Sequence, residues 1–511
     1  MREAEPVLVG IDAGTSRIRA LAFAPDGRLL AGAAGPTPYR RPAPELAELD
    51  AEELFATTVA TLGALARRLE EPRRVIGLAV ASVGEAGVLL DAEDRPLAPI
   101  LAWFDPRPAA LRADLLDRVS PERFARIAGV TADPILGALK LAWYARSAPE
   151  AFARARKWLH LADWLAFRLG GAPATDASLA SRTGLLDLRA GRWSEELAAR
   201  ADVPIDLLPE ILPTGTRIGA LSPEIAASTG LPASAAIAVG GYDHALGLLA
   251  VGGDEPGVVV DSMGTAEGLA LPLPEPVLDG RLAASGFSQV LIRVDRPRAC
   301  VLTGLATSGA AIDWACALFA RGTSRKTLVA AARAVPPECG GVFFVPHLRF
   351  PSPPATEAEA RGMFFGLSPD SDAATLFRAV LEGLALDWQR MLVRLCDLLE
   401  RPLPERMLAI GGGTRIGLLL EIKASLAGRP LAAAAMPEAT ALGAALAAGI
   451  GAGLFSDLVR ARAGLRLSFR TIRPDPAWPP ERARRHLARY GELVCALAPL
   501  QRRAAAWRAE A

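Results

Sequence analysis

At 511 residues the chain exceeds the length over which a single hydrophobic core keeps growing, so two domains are expected. Its 57 basic and 56 acidic residues leave a formal charge of +1, which excludes a global field that recruits nucleic acid or an anionic membrane. Hydrophobic residues make up 51% of the chain, as in a well-packed globular protein.

The apolar run Val7 to Ile11 reads as a buried strand that enters the turn Asp12-Ala13-Gly14-Thr15-Ser16. Arg19 to Ala24 reads as a second strand, and Pro25-Asp26-Gly27-Arg28 as a hairpin turn into Leu29. Asp50 caps a helix, Glu53 completes a capping box, and Leu54, Val59, Leu62 and Leu65 form its apolar stripe. Val75 to Ser82 and Val88 to Asp91 read as strands, and Pro121 to Leu169 as largely helical. Ala236 to Val239 is a strand running into Gly240-Gly241-Tyr242-Asp243.

The second half repeats this grammar. Strands are expected around Val258 to Leu271 and Ala299 to Thr303, and helices from about Ser308 and Ser371. Met407 to Ile410 runs into Gly411-Gly412-Gly413, and Pro474 to Pro480 separates a final Arg-rich helix. Pro346 to Ala360 reads as a surface loop. Alternation of strands and helices in both halves argues an α/β fold, with a hinge near residues 244 to 257 dividing domains 1–245 and 246–511.

Two loops carry related chemistry, Asp12 to Ser16 and Asp261-Ser262-Met263-Gly264-Thr265. Each follows a buried strand and is rich in Gly and hydroxyls, which suit close approach to anionic oxygens. An acidic residue at the strand end suits a metal ion that neutralises them. One such loop is usually a hairpin; a pair, one in each half, suggests a duplicated nucleotide-binding fold with a cleft between the halves.

The uncharged stretch Ala439 to Phe455 is dominated by Ala and Gly and reads as a closely packed interior helix, not a membrane span. Five scattered cysteines without a C-x-x-C pair favour reduced, buried thiols. The first strand begins within about six residues of the N-terminus, which predicts a cytoplasmic protein without a signal peptide. None of the four lysines follows a Gly, so a Walker loop is excluded. Gly411-Gly412-Gly413 is followed by Ile416 where a dinucleotide motif needs Gly, and the four histidines have no partners at metal-ligand spacing.

Taken in order, the segments resemble the FGGY carbohydrate kinases, the group containing glycerol kinase and xylulokinase, from Val7 to the final helix. Asp12 to Arg19 is similar to the family's first phosphate loop, and Trp103-Phe104-Asp105-Pro106-Arg107 to its sugar-contacting W-x-D-x-R element. Gly240 to Asp243 resembles the segment carrying the catalytic Asp, and Ser262 to Thr265 the second phosphate loop. Gly362 to Leu367, with Leu376, Ala379, Val380 and Glu382, resembles a further signature, and Gly411 to Gly413 and Glu438 to Gly443 the adenosine-side loops.

The resemblance implies two ribonuclease-H-like domains of the actin/hexokinase type, ATP with Mg²⁺, and transfer of the γ-phosphoryl group to a small sugar or polyol. A ketopentose such as xylulose or ribulose is the favoured acceptor, and a homodimer is the assembly common in such families. Asp243 is the expected general base, with a helix N-cap as its structural alternative. Asp12 is expected to hold Mg²⁺, with Asp243 the second metal-site carboxylate. Gly14, Thr15, Ser16, Gly264, Thr265 and Gly309 are expected around the phosphates, and Gly411, Gly412 and Gly413 along the nucleotide. Arg19 reads equally as a phosphate counter-charge and as part of a solvated strand face. Glu85, Trp103, Asp105, Arg107, Asp243 and His244 form the acceptor set, because sugars use carboxylates as hydroxyl acceptors and aromatic faces against C–H surface.

The chain departs from the pattern at Gly84, where a sugar-contacting residue is usual, which is expected to leave space for a larger or differently shaped acceptor. Ser425 replaces a usual acid, and Asp133 to Lys140 keeps only the Lys140-x-x-Trp143 half of another signature. Two rival readings are an actin- or Hsp70-like nucleotide-driven binding module and a catalytically weakened, sugar-sensing relative.

Overall fold

The computed structural model describes residues 5–320, 322–349, 351–354, 360–435 and 438–510. Of the loop expected from Pro346 to Ala360, residues 350 and 355–359 lie outside the described residues.

Two sheets organise the chain. In the first, Val7–Ala13 pairs antiparallel with Arg17–Phe23, which pairs antiparallel with Leu29–Pro36. On its other edge Val7–Ala13 runs parallel to Val75–Ser82, which runs parallel to Ala236–Tyr242. The second sheet repeats this order and these directions with Val258–Met263, Glu267–Leu273, Pro297–Leu305, Arg406–Ile410 and Leu431–Ala434. The five-strand core is thus built twice, in the expected ribonuclease-H-like arrangement, and both first strands end in one of the two Gly-Thr loops. Val7–Ala13 is buried along its whole length because helices cover both faces of its sheet, which is why it reads as one apolar run.

On one face of the first sheet, Leu161–Leu169 covers Val75–Ser82 and Ala236–Tyr242, while Ala51–Ala66 covers the two antiparallel strands. The other face is covered by Ala439–Gly451, a helix that follows the second sheet in sequence yet packs on the first. It fits because both surfaces are small: a Cβ on Gly10 would overlap the Ala441 carbonyl, and one on Gly443 would overlap the backbone of Leu246 in the helix Asp243–Ala250. The Ala- and Gly-rich composition of this stretch therefore reflects close packing, and no helix among the described residues is long and apolar enough to cross a membrane.

Three local expectations change. Asp50 caps its helix by accepting from the Glu53 amide at 3.0 Å, but the Glu53 carboxylate binds Arg40 and the box is half formed. The segment read as helical to Leu169 contains the strand Lys157–His160, paired with Gly87–Leu90, because Gly87 leaves room for the Trp158 ring. Cys300, Cys339 and Cys396 are buried free thiols, but Cys495 is exposed and Cys316 half-buried.

Candidate active site

A cleft of about 1840 Å³ opens between the loop ends of the two sheets. Asp12, Gly14, Thr15, Ser16, Arg19, Glu85, Trp103, Asp105, Asp243, His244, Gly264, Thr265, Gly309 and Gly411 to Gly413 all line it. Arg107 does not. Its guanidinium forms hydrogen bonds to Glu48 at 3.0 Å and to both Asp105 oxygens at 2.8 and 2.9 Å. Asp105 also accepts from the Ala47 amide at 2.9 Å, so its carboxylate is saturated within the protein. The Trp103-to-Arg107 element is thus braced internally, with Trp103 facing the cleft. The surviving half of the other signature explains itself here: Lys140 Nζ donates to the Ala102 carbonyl at 2.7 Å, and Trp143 lies 5.2 Å from the Arg107 guanidinium.

The two Gly-Thr loops present similar polar edges. The Gly14 amide donates to the Arg17 carbonyl at 3.1 Å and the Gly264 amide to the Ala266 carbonyl at 2.9 Å, which closes each turn on itself. Among the described residues the amides of Thr15, Ser16 and Thr265 have no acceptor within the protein, and all three residues line the cleft. Gly309 opens the helix Gly309–Phe319 against the second loop, donating its amide to the Gly264 carbonyl at 3.1 Å, so that amide is already used. Gly411 has φ +88° and abuts the Met263 backbone, a turn requirement, whereas nothing lies within 4 Å of where a Gly412 side chain would begin. Trp103 Nε1 donates to the Thr15 hydroxyl at 3.1 Å, joining the acceptor side of the cleft to the first loop.

The strand-end aspartates have diverged. Asp12 faces the cleft, with Arg19 Nη1 at 3.4 Å; the same Arg19 nitrogen reaches Glu438 at 3.5 Å. Asp261 instead turns into the second core, where Lys423 Nζ sits at 2.5 Å and also binds Glu267. Only the first loop offers its carboxylate to a ligand.

The sequence pattern of the FGGY family of carbohydrate kinases matches the chain twice, its N-terminal domain over residues 7–250 and its C-terminal domain over residues 259–452. The chain belongs to the FGGY family of carbohydrate kinases. It is 32% identical to a xylulose kinase of Klebsiella pneumoniae over 408 residues, covering 79% of this chain and 82% of that one. It is 30% identical over 469 residues to a glycerol kinase of Gloeobacter violaceus, covering 89% and 90%. The crystal structure of a xylulose kinase from Rhodospirillum rubrum superposes with a TM-score of 0.84 at 28% identity, covering 97% of this chain and all of that one.

In this kinase Asp243 closes the cleft floor at the first turn of Asp243–Ala250, and its Oδ1 accepts from the His244 amide at 2.7 Å. Burial, reinforced by the nearby Glu85 charge, pushes its carboxyl up to about 7. Asp12 is likewise held at about 7, by burial first and then by the charges of Asp243 and Glu438. Burial drives His244 down to about 4, so its ring is neutral near pH 7.

A pair of carboxylates, one buried and one half-buried, that resists ionisation is a site short of positive charge. Oxygen donors of this kind fit a hard dication such as Mg²⁺, which binds through one or two carboxylates together with substrate phosphates.

Two cleft residues escaped the sequence reading. Arg182, at the C-terminal end of the helix Ala177–Ser181, grips Glu85 Oε1 through Nε at 2.6 Å and Nη2 at 2.5 Å. The Tyr242 ring lies 5.7 Å from its guanidinium carbon. These two fill the place expected to be open at Gly84: a Cβ there would fall 2.7 Å from Arg182 Cγ and 3.0 Å from the Tyr242 ring. Gly84 therefore makes way for Arg182 and Tyr242, not for a larger acceptor.

Proposed function

We propose that this kinase transfers the γ-phosphoryl group of ATP to a hydroxyl of a ketopentose such as xylulose or ribulose. The observation that carries the reading is the position of Asp243, in one cleft with Glu85 and Arg182 on one side and Asp12 and the two Gly-Thr loops on the other. The xylulose kinase of Klebsiella pneumoniae, at 32% identity, supports the choice of acceptor.

Asp243 takes the proton of the attacking hydroxyl and orients that oxygen, the protein group that phosphoryl transfer most needs. Its raised affinity for protons suits this exchange near neutral pH. The amides of Thr15, Ser16 and Thr265 grip the phosphates, and the open backbone at Gly412 lies along the nucleotide. Asp12, with Asp243 beside it, would hold Mg²⁺, which neutralises phosphate charge during transfer. Trp103 ties the acceptor wall to the first loop through Thr15. The chain divides at the start of Asp243–Ala250, into domains 1–245 and 246–511, and their closure excludes water from the reacting groups.

The test is ADP release with MgATP and D-xylulose, D-ribulose or glycerol. Turnover with a ketopentose at much higher kcat/KM than with glycerol is expected; preference for glycerol, or no acceptor-dependent release, would overturn the assignment.

A further inference from the structure

Glu85 and Arg182 meet through one oxygen only. Nε and Nη2 of Arg182 both converge on Glu85 Oε1. Among the described residues Glu85 Oε2 and Arg182 Nη1 make no hydrogen bond within the protein, and both residues line the cleft beside Asp243. The side chains are nonetheless only 5% and 8% exposed, so neither can swing to solvent for a partner. The Tyr242 ring lies beside the guanidinium and the chain at Gly84 packs against the Arg182 stem, which together confine the side chain. What faces the cleft is therefore a fixed acceptor next to a fixed donor, held by a charge pair that is neutral as a whole.

We propose that Glu85 and Arg182 form a clamp for two neighbouring oxygens of the acceptor, as in a vicinal diol or an α-hydroxy ketone. Glu85 Oε2 accepts from a hydroxyl of the acceptor, and Arg182 Nη1 donates to the adjacent hydroxyl or carbonyl oxygen. The pairing is geometric: a carboxylate offers only acceptors and a guanidinium only donors, so the two together read an O–H next to a second oxygen. Arg182 is thereby a specificity-determining residue supplied from a distant segment, in the space that Gly84 leaves free. Burial makes the discrimination steep, because an acceptor lacking one oxygen leaves a desolvated donor or acceptor unpaired. This inference rests on the kinase reading and names the chemistry of its acceptor site.

The decisive variant is Arg182→Lys, which keeps a cation for Glu85 and removes Nη1, the separate nitrogen assigned to the second oxygen. With whichever of D-xylulose, D-ribulose or glycerol the unaltered kinase phosphorylates, the acceptor KM is expected to rise about tenfold or more while the ATP KM stays unchanged. A deoxy analogue lacking one of the two clamped oxygens should be penalised strongly by the unaltered enzyme and only weakly by the variant. An unchanged acceptor KM with deoxy discrimination retained overturns the clamp, as does an equal rise in both KM values, the sign of a merely structural role. If Arg182→Lys does not fold, Gly84→Ala displaces Arg182 from the same wall, and the same split between the two KM values is required of it. No ADP release from the unaltered enzyme with any of the three acceptors would sink the proposed acceptor reading and the clamp together; release with them and no split sinks the clamp alone.

Discussion

Lys423 and Asp261 meet at 2.5 Å in the second core, 162 residues apart in sequence, directly behind the loop that carries Gly264 and Thr265. Glu267 binds the same ammonium, and Ser308 donates to Glu267 at 2.5 Å, which ties the loop to the start of Gly309–Phe319. Burial and the neighbouring Glu267 charge raise the Asp261 carboxyl, because one ammonium has to serve two buried carboxylates. Lys423→Met should cost about 3–5 kcal/mol of stability by leaving buried carboxylates without their cation, read by denaturant unfolding. Adding Asp261→Asn and Glu267→Gln should recover part of that loss. A Lys423→Met enzyme as stable as the parent would show that the cation is dispensable.

Asp243→Asn should lower kcat by roughly 10²–10⁴-fold while leaving ATP binding in place, since the amide cannot accept a proton. In the unaltered enzyme, kcat/KM should fall as the pH drops through about 7, the value to which burial raises the Asp243 carboxyl. A profile flat from pH 5 to 8 would remove Asp243 as the base.

Stability should move the opposite way. Asp12 and Asp243 bind protons at about 7 in the folded enzyme, against 3.8 for an ordinary Asp. The folded state therefore holds more protons than the unfolded chain between these values, and its stability must fall as pH rises across that window. The Tm of the ligand-free enzyme is expected to be higher at pH 5 than at pH 7.5; a rise with pH would contradict the burial of these carboxylates.

Two glycines in the same strand and loop should behave differently. Gly10→Ala would drive a methyl group into the Ala441 carbonyl, so a loss of several kcal/mol or failure to fold is expected. At Gly14 a methyl group would meet the Arg17 carbonyl oxygen only at 3.4 Å. Gly14→Ala should unfold at nearly the parent temperature and show its damage as a raised ATP KM. Equal stability losses in the two variants would mean that the first loop is shaped by packing alone.

Much of the site was legible because its parts are short strings on strand ends. Asp12 to Ser16, Gly240 to Asp243 and Ser262 to Thr265 each announce a strand, a turn and a polar group, and the fold gathers them in one cleft. Arg182 was not legible, since its partner Glu85 lies 97 residues away and nothing next to Arg182 in the chain signals the contact. The same limit explains Asp261, which reads like Asp12 from its strand and loop; only the buried Lys423 distinguishes them. Arg107 departs in the other direction, together with its partner Asp105. The resemblance placed both in the acceptor set, whereas in the structure each satisfies the other and of the two only Asp105 lines the cleft.

The helix Ala439–Gly451 meets the first sheet and the helix Asp243–Ala250 through backbone and methyl groups at its tightest points, Gly10 and Gly443, with Leu442 and Leu446 packed in the core alongside. Such a joint behaves as a plain bearing. Alanine and glycine have no rotamers to freeze or release, so a small slip along it carries almost no side-chain entropy cost. Any displacement of one half against the other would meet little side-chain resistance at those two points.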